Sequence, residues 1–251
     1  MTGQLLESLG FPEASRLGKR VFKKLFVENG SLTASDKKSL QDDVEGVTWQ
    51  YTLKPGTVPI KSYEDAEREY LEVAVLEVAM RTRKSCARLA EVVHRAIPYP
   101  LLLVFSLENE CCLSVAPKRF SQAEQGVIIA EEFLTTGWID LASPTEIDQA
   151  FLDSLALGGL PHTHFLAFYS AWVDRFTAYD CARLSGVFQV GSKAVDPAER
   201  RERLAACHAL ELQIAEFRAA LKKEAQFNRQ VELNTKIKNT EKQLRELAAT
   251  L

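Results

Sequence analysis

The sequence predicts an α/β fold, with a mixed sheet core flanked by helices and a C-terminal long helix, coiled coil or helical hairpin. Three patterns predict this class. Residues 47–53 (VTWQYTL) alternate apolar and polar side chains with the period of a half-buried strand. Residues 101–107 (LLLVFSL) form an unbroken apolar run, which is typical of a central strand buried on both faces. Between them, residues 82–97 place their apolar side chains on one helical stripe.

The composition favours a folded protein outside the membrane. Hydrophobic residues make up 46% of the chain and charged residues 26%, which is ordinary for a globular protein. The N-terminus does not resemble a secretory signal, and the apolar runs are too short to cross a bilayer. We therefore expect a cytoplasmic protein without a membrane partner. The five cysteines are an odd number without C-x-x-C spacing, so we expect buried, reduced thiols.

Residues 1–32 are predicted to form an irregular, basic N-terminal arm. The stretch RLGKRVFKKLF (16–26) holds five basic side chains and no acidic one. Such an arm is able to contact phosphates, but it is also able to pack its apolar side chains on the body while the cations reach water. The second interpretation is the simpler one. The candidate nucleic-acid-binding residues are Arg16, Lys19, Arg20, Lys23 and Lys24.

Residues 33–184 are predicted to form the α/β core with a helical extension. Thr33 to Asp36 offer N-cap residues for a helix that ends near Val44. Pro98 stops the helix at 82–97, because the residue before a proline is disfavoured in helical conformation. The expected strands are 47–53, 57–63 (TVPIKSY), 69–80, 101–107, 111–117 and 126–139, and a later helix is expected over 164–184.

The C-terminal part is predicted to be helical. Residues 185–196 read as a linker, and Pro197 marks a helix start over 197–251. The apolar rhythm that ends at Leu221 resumes out of phase at Leu233, which indicates a reversal, a change of packing partner or a skip in a coiled coil. Residues 199–251 carry eleven basic and eight acidic side chains, so this segment permits nucleic-acid contact without requiring it.

Motifs for chemistry are sparse. Phosphate-binding loops and serine nucleophile elbows are absent from the sequence. His162 and His164 fit a surface loop and helix cap better than a metal site. The order helix, three strands, helix, strand is also found in restriction-endonuclease-like nucleases, where carboxylates hold Mg²⁺ and a lysine orients water. In this alternative Glu72 and Glu77 are the carboxylates, but Ala79 occupies the position of the lysine.

Three stretches resemble an uncharacterised bacterial family: VTWQYTL, HRAIPYPLLLVFSL (94–107) and EAQFNRQVELNTKIKNTEKQLREL (224–247). The most specific parts are the junction Ile97-Pro98-Tyr99 and residues 226–234. The resemblance covers nearly the whole chain, and it implies a gene encoded beside helicases and DNA methyltransferases in restriction-like, anti-phage clusters. It assigns no catalytic residue. Relatives often carry a lysine at the end of the third strand, where this chain reads EVAMR (77–81).

The leading hypothesis is a non-enzymatic adaptor of a restriction–modification or antiviral defence complex, without a cofactor. It would bind a helicase or DNA methyltransferase subunit through its C-terminal helices and contact DNA through the basic arm. The alternative is a divergent nuclease that uses Mg²⁺ at Glu72 and Glu77. Self-association through the C-terminal helices is a third possibility. A polar patch interrupts the apolar spacing of the tail, and the candidate interface residues form or flank it. Phe227 and Val231 are expected to be apolar anchors at a helix crossing or turn. The polar members, expected to be satisfied by the main body or a partner, are Asn228, Arg229 and Asn234.

Overall fold

The computed structural model confirms the α/β class and describes residues 1–29, 32–124, 126–191 and 197–251. The chain divides into two units, Met1–Phe176 and Thr177–Leu251. This boundary falls inside a helix, and residues 192–196 of the predicted linker lie outside the described residues. The helices are α1 (Thr2–Ser8), α2 (Lys23–Asn29), α3 (Ala34–Asp42), α4 (Cys86–Ala96), α5 (Glu146–Ser154), α6 (Phe165–Ser185), α7 (Pro197–Leu221) and α8 (Phe227–Ala248). The strands are β1 (Arg16–Val21), β2 (Val44–Leu53), β3 (Tyr63–Glu64), β4 (Glu69–Tyr70), β5 (Val73–Met80), β6 (Leu101–Leu107), β7 (Glu110–Val115), β8 (Lys118–Phe120), β9 (Ile128–Ala130), β10 (Leu134–Thr135) and β11 (Ile139–Asp140).

The main sheet has seven strands and mixed direction. Its order is β1-β2-β5-β6-β7, with β10 and β11 both paired to β7. Neighbouring strands are antiparallel except β5 and β6, which run parallel and are joined by α4. A parallel pair needs such a crossover connection. β6 lies at the centre, and Leu101 to Phe105 are fully buried, as their apolar run predicts.

Two of the predicted strands are wrong. Residues 57–62 form a turn-rich loop before β3, because Thr57 hydrogen-bonds back to the Thr52 and Lys54 carbonyls and Pro59 cannot donate to a ladder. The edge strand is instead β1, in the segment predicted to be irregular. The long strand expected over 126–139 is divided into β9, β10 and β11, and the charged pair Glu131-Glu132 lies between the first two.

Helices cover both faces of the sheet within the first unit. One face of β5 (Ala74, Leu76, Val78 and Met80) packs in the same apolar cluster as α4. The other face contacts the first half of α6, where the Tyr169 hydroxyl donates to the Leu101 carbonyl at 2.7 Å and accepts from the Ala116 N–H at 2.8 Å. The hydroxyl therefore meets the requirement of a buried polar group for partners.

Aromatic and sulfur-containing side chains contribute to the buried interior. An aromatic stripe on α6, with spacings of three and four residues, is buried along its length: Phe165, Phe168, Trp172, Phe176 and Tyr179. All five cysteines are buried and free, as expected. Among the described residues, no helix combines the length and apolarity needed to cross a bilayer.

The C-terminal helices form an antiparallel hairpin. Arg203 near the start of α7 donates to the Thr250 carbonyl at 2.8 Å, and Arg218 pairs with Glu241 at 2.7 Å. The chain reverses between Leu221 and Phe227. The phase slip in the apolar pattern therefore marks a reversal, because the two helices present separate stripes to each other instead of continuing one seam.

Candidate functional surfaces

The two carboxylates of the nuclease hypothesis lie on β5 or directly before it. Glu72 precedes the strand and Glu77 lies within it, and both side chains are half-buried. Their spacing of five residues directs them to opposite faces of an extended chain. The structure therefore does not bring these two side chains together as a ligand pair.

Glu77 is held by neutral donors. Gln50 on β2 donates to one carboxylate oxygen at 2.7 Å, and Ser106 on β6 donates to the other at 2.9 Å. The two nearest arginines in sequence are engaged elsewhere: Arg81 donates to carbonyls at the end of α3, and Arg83 pairs with Glu110. The site thus resembles a satisfied polar cluster more than a lysine-assisted catalytic set.

Neither histidine of the His162–His164 pair is arranged as part of a metal site. His164 accepts a hydrogen bond from the Ala167 N–H at 3.1 Å, and a ring nitrogen of His162 lies 3.0 Å from the Leu157 carbonyl oxygen. Across the ranges that the structure describes, no group of three or more His, Cys, Asp or Glu side chains is placed to hold a metal ion.

The five basic residues of the N-terminal segment differ in their availability. Arg16 and Lys24 form exposed ion pairs with Glu13 and Glu28 at 3.7 and 3.2 Å. The exposed side chains of Lys19 and Arg20 form no salt bridge within the described residues.

Lys23 contributes to the fold more than to the surface. Its ammonium donates to the Gln41 carbonyl in the last turn of α3 and to the Val44 carbonyl just beyond the helix. Partial burial lowers its pKa, and the positive charges of Arg81 and Arg20 lower it further. Lys23 is therefore a weaker phosphate-binding candidate than Lys19 and Arg20.

The N-terminal segment and the Ile97-Pro98-Tyr99 junction line one groove of about 620 Å³. We call this the arm–junction groove. Pairing of β1 with β2 sets Lys19 opposite Trp49, and the end of α4 brings the junction to the same place. Its lining residues are Leu17, Lys19, Arg20, Val21, Phe22, Leu25, Trp49, Ala96, Ile97, Pro98 and Tyr99.

Three aromatic side chains, Phe22, Trp49 and Tyr99, line the groove. Trp49 and Tyr99 meet edge to face with their centroids 6.3 Å apart, and the Trp49 indole N–H donates to the Thr52 hydroxyl at 2.8 Å. Phe22 is 73% exposed and Tyr99 is 42% exposed. Sequence reasoning treated Trp49 only as a strand residue. Its role in a groove follows from the pairing of β2 with β1, which had not been predicted.

A buried lysine, Lys118, binds the end of α4 directly before the Ile97-Pro98-Tyr99 junction. Lys118 is 2% exposed, and its ammonium donates to the carbonyls of His94 and Ile97 at the end of α4. Burial lowers the pKa of Lys118 to about 7. The two hydrogen bonds satisfy carbonyls that a helix leaves without intrahelical partners. The sequence does not indicate this contact. Lys118 follows a strand and a proline, and the helix whose end it binds is distant in the chain.

The turn of the C-terminal hairpin carries exposed apolar side chains, which we call the hairpin tip. Phe227 is the first residue of α8 and is 75% exposed, and Val231, one turn later, is 48% exposed. The sequence predicts that these two residues anchor a helix crossing or turn; they lie beside the turn, and both side chains are exposed. Asn228 and Asn234 are exposed, and Arg229 lies 3.9 Å from Glu224.

Comparison with known proteins gives one result. A family model described as "Domain of unknown function (DUF4391)" matches residues 9–244. No curated protein and no solved structure gives a significant match.

Proposed function

Because the chain belongs to the DUF4391 family, whose function is unknown, we propose a function from the surfaces of the chain itself. In this proposal the protein is a non-enzymatic accessory subunit of a bacterial restriction–modification or anti-phage defence complex. Its hairpin tip binds a helicase or DNA methyltransferase subunit, and its N-terminal segment contacts DNA. The observation that carries the proposal is the exposed apolar pair Phe227 and Val231 at the tip of the hairpin.

The hairpin tip has the features of a protein-binding element. Phe227 and Val231 are four residues apart on α8, so they share one face of the helix. The 75% exposure of a phenylalanine side chain leaves a large apolar surface in water, and aromatic residues dominate the energetic centres of interfaces. Asn228, Arg229 and Asn234 would form a polar rim around this centre, as expected for an interface.

The choice of partner comes from the resemblance described above, which implies neighbouring helicase and methyltransferase genes. The core supports an accessory role, since Glu77 is bound by Gln50 and Ser106 and Ala79 takes the place of a catalytic lysine. A subunit without its own reaction contributes by joining other subunits to each other or to DNA.

Co-purification tests the proposal. The full chain is co-expressed with the products of the neighbouring helicase and methyltransferase genes, and capture is compared with that of the double variant Phe227→Ser/Val231→Ser. Hot-spot truncation typically costs more than 1 kcal/mol per residue, so we expect binding to weaken by about tenfold or more. The control is Leu71→Ser/Val127→Ser, which removes two other exposed apolar side chains.

Three outcomes are informative. Loss of capture only in the hairpin variant supports the adaptor role. Unchanged capture by that variant contradicts a role for the hairpin tip. Light scattering of the isolated chain reports self-association, and a dimer that the same double variant converts to a monomer would assign the tip to a second copy instead.

A further inference from the structure

We propose that the arm–junction groove binds an unpaired strand of DNA, with bases stacked on Phe22 and Tyr99 and phosphates held by Lys19 and Arg20. The proposal deepens the DNA contact in the proposed function, on which it rests for the choice of DNA over RNA. A complex that contains a helicase generates such a strand when it separates a duplex.

The charge of the groove favours a polyanion. Within residues 16–29 there are five basic side chains and one acidic side chain, Glu28, which is paired with Lys24. The residues that line the groove include two cations and no carboxylate. Lys19 and Arg20 form no ion pair in the described part of the chain, so their positive charge is available to phosphates. Cations that track a backbone supply the sequence-independent part of nucleic-acid affinity.

The rings of the groove favour unpaired bases. Grooves for single-stranded nucleic acid combine cations with aromatic side chains on which successive bases stack. Phe22 and Tyr99 are exposed, and Trp49 supports Tyr99 through its edge-to-face contact. In a duplex the base faces are already stacked on one another, so such rings add nothing to duplex binding unless bases are displaced. The combination of rings and free cations therefore selects a single strand.

The edge of the sheet argues against a peptide as the occupant. β1 is an edge strand, and an extended peptide could in principle pair with it. The ladder between β1 and β2 is, however, irregular between Arg16 and Lys19, where Gly18 adopts a left-handed conformation at φ +57°. A bulge and adjacent cations are devices that protect an edge strand from further pairing. A hydrophobic peptide would also leave Lys19 and Arg20 without partners.

The full-length chain is tested by fluorescence anisotropy with labelled dT20, a matched 20-base-pair duplex and U20 RNA. We expect dT20 to bind more tightly than the duplex. Phe22→Ala and Tyr99→Leu should each weaken dT20 binding by about 5- to 10-fold, at the lower end of measured stacking contributions, and leave duplex binding unchanged. Lys19→Gln/Arg20→Gln should weaken binding to both DNAs and reduce the salt slope for dT20 by about 1.4, or about 0.7 per phosphate contact.

Matched controls and distinct outcomes separate the DNA contact of the proposed function from the single-strand inference. Leu212→Ala removes an exposed apolar side chain from the hairpin, and Lys236→Gln/Lys238→Gln removes two exposed charges there; neither should affect dT20 binding. If no DNA binds, or if the Lys19/Arg20 variant binds like wild type, the proposed DNA contact itself fails. If DNA binds but the ring variants behave like wild type, or the duplex binds more tightly than dT20, the single-strand inference is overturned while the DNA contact stands. Tighter binding of U20 than of dT20 would overturn the choice of DNA over RNA. Circular dichroism of each variant verifies that the fold is retained.

Discussion

Replacing Lys118, the buried lysine that binds the end of α4, should change how the free energy of unfolding depends on pH. The ammonium of Lys118 lies at the end of α4 and donates to the His94 and Ile97 carbonyls, directly before the Pro98-Tyr99 junction. Lys118→Met keeps a side chain of similar length but removes both hydrogen bonds and the titrating group. The variant therefore isolates the effect of one buried amine on the first unit.

The magnitude follows from the pKa of the amine. Burial lowers it from 10.5 to about 7 in the folded protein, so between these two values the unfolded chain binds more protons and stability rises with pH. At about 1.4 kcal/mol per pKa unit, keeping this amine buried costs about 2 kcal/mol at pH 9 and about 4 to 5 kcal/mol at pH 6. Wild type should thus gain roughly 2 to 3 kcal/mol between pH 6 and pH 9 from Lys118 alone.

Urea unfolding at pH 6, 7.5 and 9 checks this prediction. All three tryptophans (Trp49, Trp138 and Trp172) belong to the first unit, so their fluorescence reports its unfolding. Burial and the Lys118 charge both lower the pKa of His94. Because burial is the larger cause and remains in Lys118→Met, most of the contribution of His94 to the pH dependence is common to the two proteins. Lys37→Met, at an exposed lysine, is the control and should follow wild type. Parallel pH profiles for wild type and Lys118→Met would refute the reasoning.

Three further substitutions test the core, a helix cap and the absence of catalysis. Trp172→Phe removes the indole donor to the Leu155 carbonyl at 3.1 Å, and circular dichroism in urea should show a loss of about 1 to 3 kcal/mol because a buried acceptor is left unsatisfied; no loss would mean that this bond contributes nothing. Thr145→Ala removes the capping box at the start of α5 and should cost about 1 kcal/mol by the same method, whereas unchanged stability would contradict a capping role. Wild type and Glu77→Gln should both leave plasmid DNA uncut in Mg²⁺ or Mn²⁺; cleavage by wild type that the variant loses would establish a nuclease.

The parts of the fold that could be predicted are those in which side chains signal burial. The run 101–107 is apolar on both faces because β6 is central, and helix α4 has one apolar stripe. β1 has no such signal: five of its six residues are exposed and its register is broken near Gly18. An edge strand of this kind is specified by its pairing with β2, which depends on contacts distant in sequence and not on a local pattern.

The candidate surfaces, like the fold, are predictable only where the signal is local in the sequence. The basic cluster and the Ile97-Pro98-Tyr99 junction were both identified from sequence, but nothing local indicates that they meet in one groove. The sequence also cannot distinguish Lys23, which binds carbonyls at the end of α3, from Lys19, which remains free to contact a ligand. Both are lysines in one basic run, and only tertiary contacts give them different roles.

The strand conformation of the N-terminal segment changes what its cations can do. A flexible arm would lose conformational entropy on binding and would hold DNA by charge alone, with little distinction between paired and unpaired bases. Pairing of β1 with β2 instead holds Lys19 beside Trp49 before any ligand arrives. Preorganisation of this kind lowers the cost of binding. The salt dependence of affinity would look similar for an arm and for a strand, so the discrimination between dT20 and duplex, and its loss when Phe22 or Tyr99 is replaced, is the measurement that separates a preformed groove from a basic tail.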